Sequence, residues 1–399
     1  MNVLHIWPEQ PKRRDGSIIL SASMEAPGAE RKVLWYSVPE SEESSLAVNA
    51  DPFVIGFIYL IMESGCNVQV HGEVSPSLLR NLEEFQAAWT AWIPGLRSAA
   101  IFADREAEAT PSGSREDAAV AFSGGVDSCF TAFRHARAHG PRIPYHPTAG
   151  IMVHGFDIPL GDVEVFASSA SRSERMLSSL GIALITVATN YREIVADWSH
   201  SHGAAIASCL HLFCRRFSKG LIAQSFTYKE ILSIHEGVNA LTDPLLSSDS
   251  FRIIPDGAAF KRTEKIEAMG NWVEFLNNLR VCWQGPYKDR NCCVCEKCVR
   301  NILTFRALGL GLPPCFDHDV EDEQIKTLRL GAGPLPSFRY DKLASVAAAH
   351  GATGPWVRTL LKRLNTVRRE RESRFFRYVY RMQYYAGRVS ARIRRGGRQ

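Results

Sequence analysis

The chain has 399 residues, enough for roughly two or three domains, and its 45% apolar and 22% charged residues are ordinary for a globular protein. Its longest strongly apolar stretch, Phe53 to Met62, is too short to cross a bilayer, and no signal-peptide pattern opens the chain, so we expect no transmembrane segment and a cytoplasmic location. The net charge of +5 combines a mildly acidic body with a strongly basic tail, since residues 358–399 carry fourteen Lys or Arg and two Glu.

The first 104 residues predict a small α+β domain. Its first helical segment is apolar, and its second begins at Ser75-Pro76, with Ser as N-cap and Pro at the first helical position. The apolar stripe of the second helix indicates a packed core, with a substrate lid or a dimer surface as the alternative. The predicted strands are Ser17–Ser23 and Lys32–Val38, which form a hairpin, Asn67–His71 and Ala99–Phe102, and the first helix is Phe53–Ser64.

Residues 105–117 are polar and contain Pro, Gly and Ser, so we interpret them as a linker. From residue 118 to residue 330, short apolar runs alternate with helical segments, which predicts an α/β domain with a parallel five-stranded sheet flanked by helices. Such sheets bind ligands beyond the carboxyl ends of their strands. The predicted strands are Ala118–Phe122, Gly150–His154, Ile182–Ala188, Leu221–Ser225 and Arg252–Ile254.

The first of these strands runs directly into the hexapeptide SGGVDS, the strongest local signal in the chain. Its two glycines permit a positive φ, and the backbone N–H groups at the start of the next helix favour an anion. The hydroxyls of Ser123 and Ser128 can donate to phosphate oxygens, and Mg²⁺ prefers carboxylate ligands such as Asp127. A plain glycine-rich turn is the alternative, and the Gly-Lys-Ser/Thr of a Walker A loop is absent. The predicted nucleotide ligands are Ser123, Gly124, Gly125, Val126, Asp127 and Ser128, and Asp127 is also predicted to be catalytic.

In this position, SGGVDS resembles the phosphate loop of the N-type ATP pyrophosphatases, the PP-loop superfamily. The resemblance implies an adenine nucleotide alpha hydrolase-like fold. It also implies cleavage of ATP between its α- and β-phosphates, which yields an adenylated substrate and pyrophosphate. The loop alone does not choose among the synthetases and tRNA-modifying enzymes of this superfamily.

A second motif places four cysteines in one run, with nine, two and two residues between them: Cys282, Cys292, Cys295 and Cys298. Four thiolates at this spacing suit one tetrahedral Zn²⁺ with Zn–S bonds of about 2.3 Å, and an iron–sulfur cluster is the alternative. Cys293 is the alternative to Cys292, although the two-residue spacing favours Cys292. Because four thiolates leave no open coordination position, we expect a structural metal.

The cysteine run continues into Val299-Arg300-Asn301 and resembles the zinc loop of the 7-cyano-7-deazaguanine synthase family. The match spans about residues 118–305. This chain differs from that family by the long segment before its phosphate loop, by the spacing of its first two cysteines and by the segment His154–Pro159. The resemblance implies a relative of that family and leaves its acceptor open.

Further candidates lie at the ligand edge of the predicted sheet. The resemblance implies contacts of His154 with adenine and ribose, and an ordinary loop histidine is the alternative. Arg262 and Lys265 lie near the start of a helix predicted at Thr263–Leu279. Lys265 is the preferred catalytic residue because its charge can neutralise departing pyrophosphate, with a solvated helix lysine as the alternative. The loop Glu236–Asp249 is either an acceptor-reading element or a surface loop.

Together these features predict an ATP-dependent synthase or ligase. A substrate carboxylate attacks the α-phosphate, pyrophosphate leaves, and an amine or ammonia takes the adenylated carbon. The resemblance suggests a carboxylate of the 7-deazapurine type. We expect ATP, Mg²⁺ and Zn²⁺, and leave a homodimer open.

Two other functions remain open. The first is tRNA or nucleobase modification, including thiolation, which requires a reactive thiol outside the metal set, whereas Cys129, Cys209 and Cys214 are expected to be buried and inert. The second is a non-catalytic module that binds ATP or AMP.

Residues 331–399 predict a helical, Arg-rich region that binds nucleic acid, an anionic membrane or an acidic protein, or packs on the body as a solvated helix.

Overall fold

The computed structural model describes residues 3–25, 28, 30–108, 115–137, 142, 144–282, 285, 287–328 and 334–372. The chain divides into two compact units, of which the first comprises Met1–Trp283 and Tyr287–Arg290 and the second comprises Gln284–Pro286 and Asn291–Gln399. Part of the predicted linker, residues 109–114, and most of the basic tail, residues 373–399, lie outside the described residues.

The first unit alternates strands with helices along much of its length. Its strands are β1 (Val3–Pro8), β2 (Lys12–Arg14), β3 (Ser17–Glu25), β4 (Lys32–Pro39), β5 (Asn67–Val74), β6 (Ile101–Glu106), β7 (Glu116–Ala121), β8 (Pro147–His154), β9 (Ala183–Thr189), β10 (Phe217–Ala223) and β11 (Arg252–Asp256). Its helices are α1 (Asp51–Ser64), α2 (Pro76–Trp92), α3 (Val126–Ala136), α4 (Val163–Ser178), α5 (Tyr191–Ile194), α6 (Trp198–His211), α7 (Tyr228–Ile231), α8 (Arg262–Ala268) and α9 (Val273–Asn278), with 3₁₀ helices at Glu40–Ser45 and Asp243–Leu246.

Within the described residues, the strands form one mixed sheet of eleven strands, in the order β11-β10-β7-β8-β9-β4-β3-β1-β5-β6, with β2 paired to β3. The prediction of a five-stranded parallel sheet is therefore wrong, although the α/β class is correct. The strands β7 to β11 do pair in parallel with one another, but β4 pairs antiparallel with β9 and continues the sheet. The physical reason is that β9 would otherwise be an edge strand with unpaired backbone groups, which β4 satisfies in part.

A single apolar core joins the N-terminal elements to the parallel strands. Helix α1 is buried on all sides from Asp51 to Met62, as expected for a helix that is apolar around its whole circumference. Gly56 allows α1 to approach the sheet closely, because a Cβ atom there would meet a methyl carbon of Leu34 at 2.5 Å. The Tyr36 hydroxyl of β4 donates to Ser208 Oγ of α6 at 2.9 Å, which ties the N-terminal hairpin to a helix that follows β9.

The helix predicted at Thr263–Leu279 is interrupted. Helix α8 ends at Ala268 and α9 begins at Val273, and the amide of Gly270 closes a tight turn on the carbonyl of Glu267 at 3.1 Å. Glycine is a poor helix former and favours helix ends, which explains the break. Lys265 consequently lies in a short helix of its own.

The second unit is helical in its described part. Its helices are α10 (Glu296–Ala307), α11 (Asp322–Lys326), α12 (Pro334–Ala349) and α13 (Pro355–Glu372). Helix α13 covers the first part of the predicted basic helix. No helix in the described residues combines the length and the apolar character needed to cross a membrane.

Candidate functional site

The loop Ser123–Ser128 leaves the carboxyl end of β7, at the ligand edge of the parallel strands. The amide of Phe122 donates to the carbonyl of Ile151 at 2.9 Å, which holds the start of the loop against β8. Gly124 has a φ of 72°, a left-handed conformation that other residues rarely adopt, and α3 begins two residues later. The two glycines therefore turn the chain from a buried strand into a helix, as the sequence predicts.

Backbone donors are concentrated at this turn. The first helical hydrogen bond at this end runs from the amide of Cys129 to the carbonyl of Gly125 at 3.0 Å. Within the described part of the chain, the amides of Gly124, Val126, Asp127 and Ser128 have no acceptor. Free amides at a helix N-terminus are donors suited to phosphate oxygens.

The two serine hydroxyls are held by the loop itself. Ser128 Oγ donates to the carbonyl of Gly125 at 3.1 Å and accepts from the amide of Ser123 at 3.2 Å. The hydroxyls of Ser123 and Ser128 lie 3.3 Å apart. These contacts preorganise the turn, and they leave both hydroxyls close to the free amides.

Asp127 is surrounded by cations. Its Oδ1 lies 3.0 Å from Lys265 Nζ, and its Oδ2 accepts a short hydrogen bond from the Arg262 guanidinium and one of 3.3 Å from Ser225 Oγ. Burial alone would raise the pKa of this carboxyl, but the charges of Arg262 and Lys265 outweigh burial and lower the pKa to about 2. Asp127 is therefore ionised at neutral pH.

Lys265 is 1% exposed, so it is not the solvated helix lysine that was the alternative. Besides Asp127, its Nζ contacts the backbone carbonyl of Gln224 at 2.5 Å and lies 5.9 Å from the centre of the Phe130 ring. The two predicted catalytic residues are thus in direct contact, at the start of α3 and in α8. A buried ammonium beside free backbone amides forms a site with affinity for a polyanion.

The sequence does not predict three further residues of this cluster. It places Arg262 at a helix start and Ser225 at a strand end, and it gives no signal for Arg280. Arg280 is 7% exposed, and its guanidinium donates to the carbonyl of Ser123 at 3.2 Å. No motif marks these residues; only their nearness to the loop in space does.

His154 ends β8, the strand that pairs with β7. Its Nε2 lies 2.8 Å from the carbonyl oxygen of Pro159, and its ring stacks on Phe166 with a centroid distance of 4.3 Å. The residue His154 is 8% exposed, so little of its ring surface is free to contact a ligand. A contact of His154 with adenine or ribose stays a prediction.

The loop Glu236–Asp249 is buried at about half of its positions, although Leu241 at its centre is exposed. Asn239, Thr242 and Asp243 are all nearly or fully buried. Asp243 accepts hydrogen bonds from the amide of Asn239 at 3.0 Å and from Gln224 Nε2 at 2.7 Å. Burial raises the pKa of Asp243 to about 7 despite these two hydrogen bonds.

The four predicted metal ligands form a compact group. The Sγ atoms of Cys282, Cys292, Cys295 and Cys298 all lie within 4.8 Å of one another, so the group could hold a metal ion. Cys293 is excluded from it: with a φ of 59°, its thiol turns to the carbonyl of Asn291 at 3.8 Å. Burial raises the pKa of the Cys293 thiol, which also disfavours it as a thiolate ligand.

Comparison with protein-family models, with curated proteins and with solved structures finds no match for this chain.

Proposed function

We propose that the protein is an ATP pyrophosphatase-type ligase of the PP-loop superfamily, which adenylates a substrate carboxylate with release of pyrophosphate. The observation that carries this proposal is the coincidence of free loop amides with buried cations. The amides of Gly124, Val126, Asp127 and Ser128 lack acceptors in the described residues, and Lys265 lies against the same loop. A polyphosphate would accept hydrogen bonds from these amides and would pair with the Lys265 ammonium.

In this proposal the chain acts mainly by position and charge. The loop amides and the hydroxyls of Ser123 and Ser128 bind phosphate oxygens, and Lys265 and Arg262 stabilise the charge that develops on pyrophosphate as it leaves. The substrate carboxylate attacks the α-phosphorus, the bond to the bridging α–β oxygen breaks, and pyrophosphate takes its electron pair. An amine or ammonia then displaces AMP from the adenylated carbon.

Mg²⁺ fits this site through Asp127, which offers the oxygen ligands that the ion prefers. The ion would supply charge neutralisation for the phosphates. Both carboxylate oxygens of Asp127 already contact Arg262, Lys265 or Ser225. We therefore propose that Arg262 and Lys265 turn from Asp127 to the phosphates when ATP and the ion bind.

For the cysteine group we propose a single Zn²⁺. Tetrahedral zinc with Zn–S bonds of about 2.3 Å holds its sulfurs about 3.8 Å apart. The Sγ atoms of Cys292 and Cys298 lie 3.9 Å apart, and all four lie within 4.8 Å. The thiolates of an iron–sulfur cluster bind different irons and lie farther apart, so the compact group favours one ion.

The thiolation alternative finds no suitable thiol among the three cysteines that the sequence analysis considers for it. Cys209 and Cys214 are buried, and burial raises the pKa of both thiols, that of Cys214 to about 12. Cys129 is fully buried behind the phosphate loop. Sulfur transfer needs an accessible thiolate, which none of these three residues offers.

The proposal is tested by pyrophosphate–ATP exchange. The protein is incubated with ATP, Mg²⁺, labelled pyrophosphate and a panel of carboxylic acids that includes 7-deazapurine acids. Acid-dependent incorporation of label into ATP is expected, because adenylation is reversible before any amine is added. With an amine present, the expected products are AMP and pyrophosphate.

Asp127→Asn is the matched variant, since it keeps the shape of the side chain and removes its charge. It should lose exchange and keep the full metal content. Formation of ADP and phosphate by the wild type would overturn the proposal. Tight ATP binding without exchange for any acid would instead favour the non-catalytic binding module.

A further inference from the structure

Arg280 makes two hydrogen bonds to consecutive carbonyls of the phosphate loop. Its backbone amide donates to the carbonyl of Gly124 at 3.0 Å, and its guanidinium donates to the carbonyl of Ser123 at 3.2 Å. The same guanidinium donates to the carbonyl of Lys288 at 3.1 Å, which fixes the side chain from its other end. Arg280 is thus a rigid bracket whose hydrogen bonds reach main-chain atoms, and its guanidinium also lies 3.8 Å from Asp157 Oδ2.

These two bonds set the direction of the loop amides. A trans peptide unit is planar, and its C=O and N–H groups point in opposite directions. Because the carbonyls of Ser123 and Gly124 point to Arg280, the amides of the next residues, Gly124 and Gly125, point away from it. The Gly124 amide has no acceptor in the described residues, and the Gly125 amide has only a long contact of 3.4 Å with Ser123 Oγ.

Two adjacent glycines need such a bracket. Glycine samples positive and negative φ almost equally, so a Ser-Gly-Gly turn left to itself would populate many peptide orientations. Gly124 in fact has a φ of 72°. A loop that must be ordered when a ligand arrives loses affinity by the cost of that ordering.

We propose that Arg280 is a positioning residue for the proposed nucleotide site: it holds the Ser123-Gly124 and Gly124-Gly125 peptide units in the orientation that presents their N–H groups to a pyrophosphate group. The inference rests on the proposed function for the identity of the anion. The bracketing of the loop is a separate claim, which is measurable without any ligand. Arg280 acts through the backbone and does not itself carry out the chemistry.

The first test measures the loop without ligand. Hydrogen exchange is followed for the amides of residues 122–126 in the wild type and in Arg280→Ala. Exchange at Ser123 and Gly125 should become about tenfold faster in the variant, because loss of the guanidinium bond to the Ser123 carbonyl frees the Ser123-Gly124 peptide unit between these two amides, while the backbone bond to the Gly124 carbonyl remains. Unchanged exchange rates would overturn the claim that Arg280 holds the loop.

The second test measures binding by calorimetry with Mg²⁺ present, using pyrophosphate and adenosine as separate probes. In Arg280→Ala the Kd for pyrophosphate should rise about ten- to hundredfold, the usual effect of losing hydrogen bonds to a charged group. The Kd for adenosine should not change. Arg280→Lys, which keeps one donor and the charge, should give an intermediate value, and added methylguanidinium should partly restore Arg280→Ala.

Arg115→Ala is the matched control. Arg115 also donates to main-chain carbonyls, those of Cys214 and Ser250, but it does not contact the loop. This variant should bind both probes as the wild type does. Equal weakening of pyrophosphate and adenosine in Arg280→Ala would show a general structural role and overturn the inference. If the wild type itself fails to bind pyrophosphate and ATP while the exchange difference persists, the proposed function fails and the bracket stands.

Discussion

Lys265 Nζ and Asp127 Oδ1 lie 3.0 Å apart in an ion pair between a buried ammonium and a partly buried carboxylate, which joins the second residue of α3 to the middle of α8. Lys265 also contacts the carbonyl of Gln224, at the end of β10. One ammonium therefore links three elements around the loop Ser123–Ser128. This arrangement makes Lys265 the most informative single position to change.

Replacing Lys265 by Met should lower the rate of AMP formation about 100- to 1000-fold, the typical loss when a preorganised charge is removed from a developing anion. The side-chain volume is kept, and Asp127 retains Arg262 as a partner. The measurement is kcat with a carboxylate that supports exchange. Lys229→Met, at an exposed lysine of α7, is the control and should be fully active. A kcat for Lys265→Met within about threefold of the wild type would contradict the role.

The ion pair also predicts how the free energy of unfolding changes at acid pH. The pKa of Asp127 is lowered to about 2, so its contribution is fully present above the unfolded value near 4 and is lost as the pH falls from about 4 to about 2. The corresponding loss is about 2 kcal/mol. Urea denaturation across this range should show the decline in the wild type. In Asp127→Asn the decline should be shallower, and equal slopes would contradict the assignment.

Asp243 predicts the opposite dependence at higher pH. Its pKa is raised to about 7, so its contribution to stability is present below pH about 4 and is lost as the pH rises through about 7. Asp243→Asn removes this loss, so the free energy of unfolding of the variant relative to the wild type should rise between pH 5 and pH 8. This rise should be on the order of 3 kcal/mol. Asp51, whose pKa is raised to about 6, remains in both proteins and cancels in the comparison.

The cysteine group predicts a sharp contrast between two neighbouring thiols. Cys298→Ser should lose most of the bound zinc, because it removes one of four ligands. Cys293→Ser should keep one zinc per chain, since the Cys293 thiol faces the carbonyl of Asn291. Metal content by mass spectrometry of purified variants decides the matter. Full zinc in Cys298→Ser, or loss in Cys293→Ser, would contradict the assigned ligand set.

Much of the secondary structure could be predicted because its signals are local. The predicted hairpin strands at residues 17 and 32 begin where β3 and β4 begin, and Pro76 opens α2 as expected. The pairing of β4 with β9 could not be predicted. It depends on contacts such as Tyr36 opposite Thr189, which no local pattern encodes.

The candidate site also has a part that could be predicted from the sequence and a part that could not. The loop and the cysteine run are contiguous motifs, so both are visible in the sequence alone. Lys265 was preferred among several basic residues, but its burial and its contact with Asp127 follow only from the fold. Arg280 has no motif, and its place against Ser123 arises from the turn after α9.

The shared core of the first unit has a consequence for synthesis of the chain on the ribosome. Tyr36 hydrogen-bonds to Ser208, 172 residues later, and the fully apolar helix α1 packs in the same core as α6. The N-terminal strands therefore emerge long before the partners that cover them. During that interval the side of α1 that contacts α6 stays uncovered, and transiently exposed apolar surface of this kind makes a nascent chain prone to aggregate.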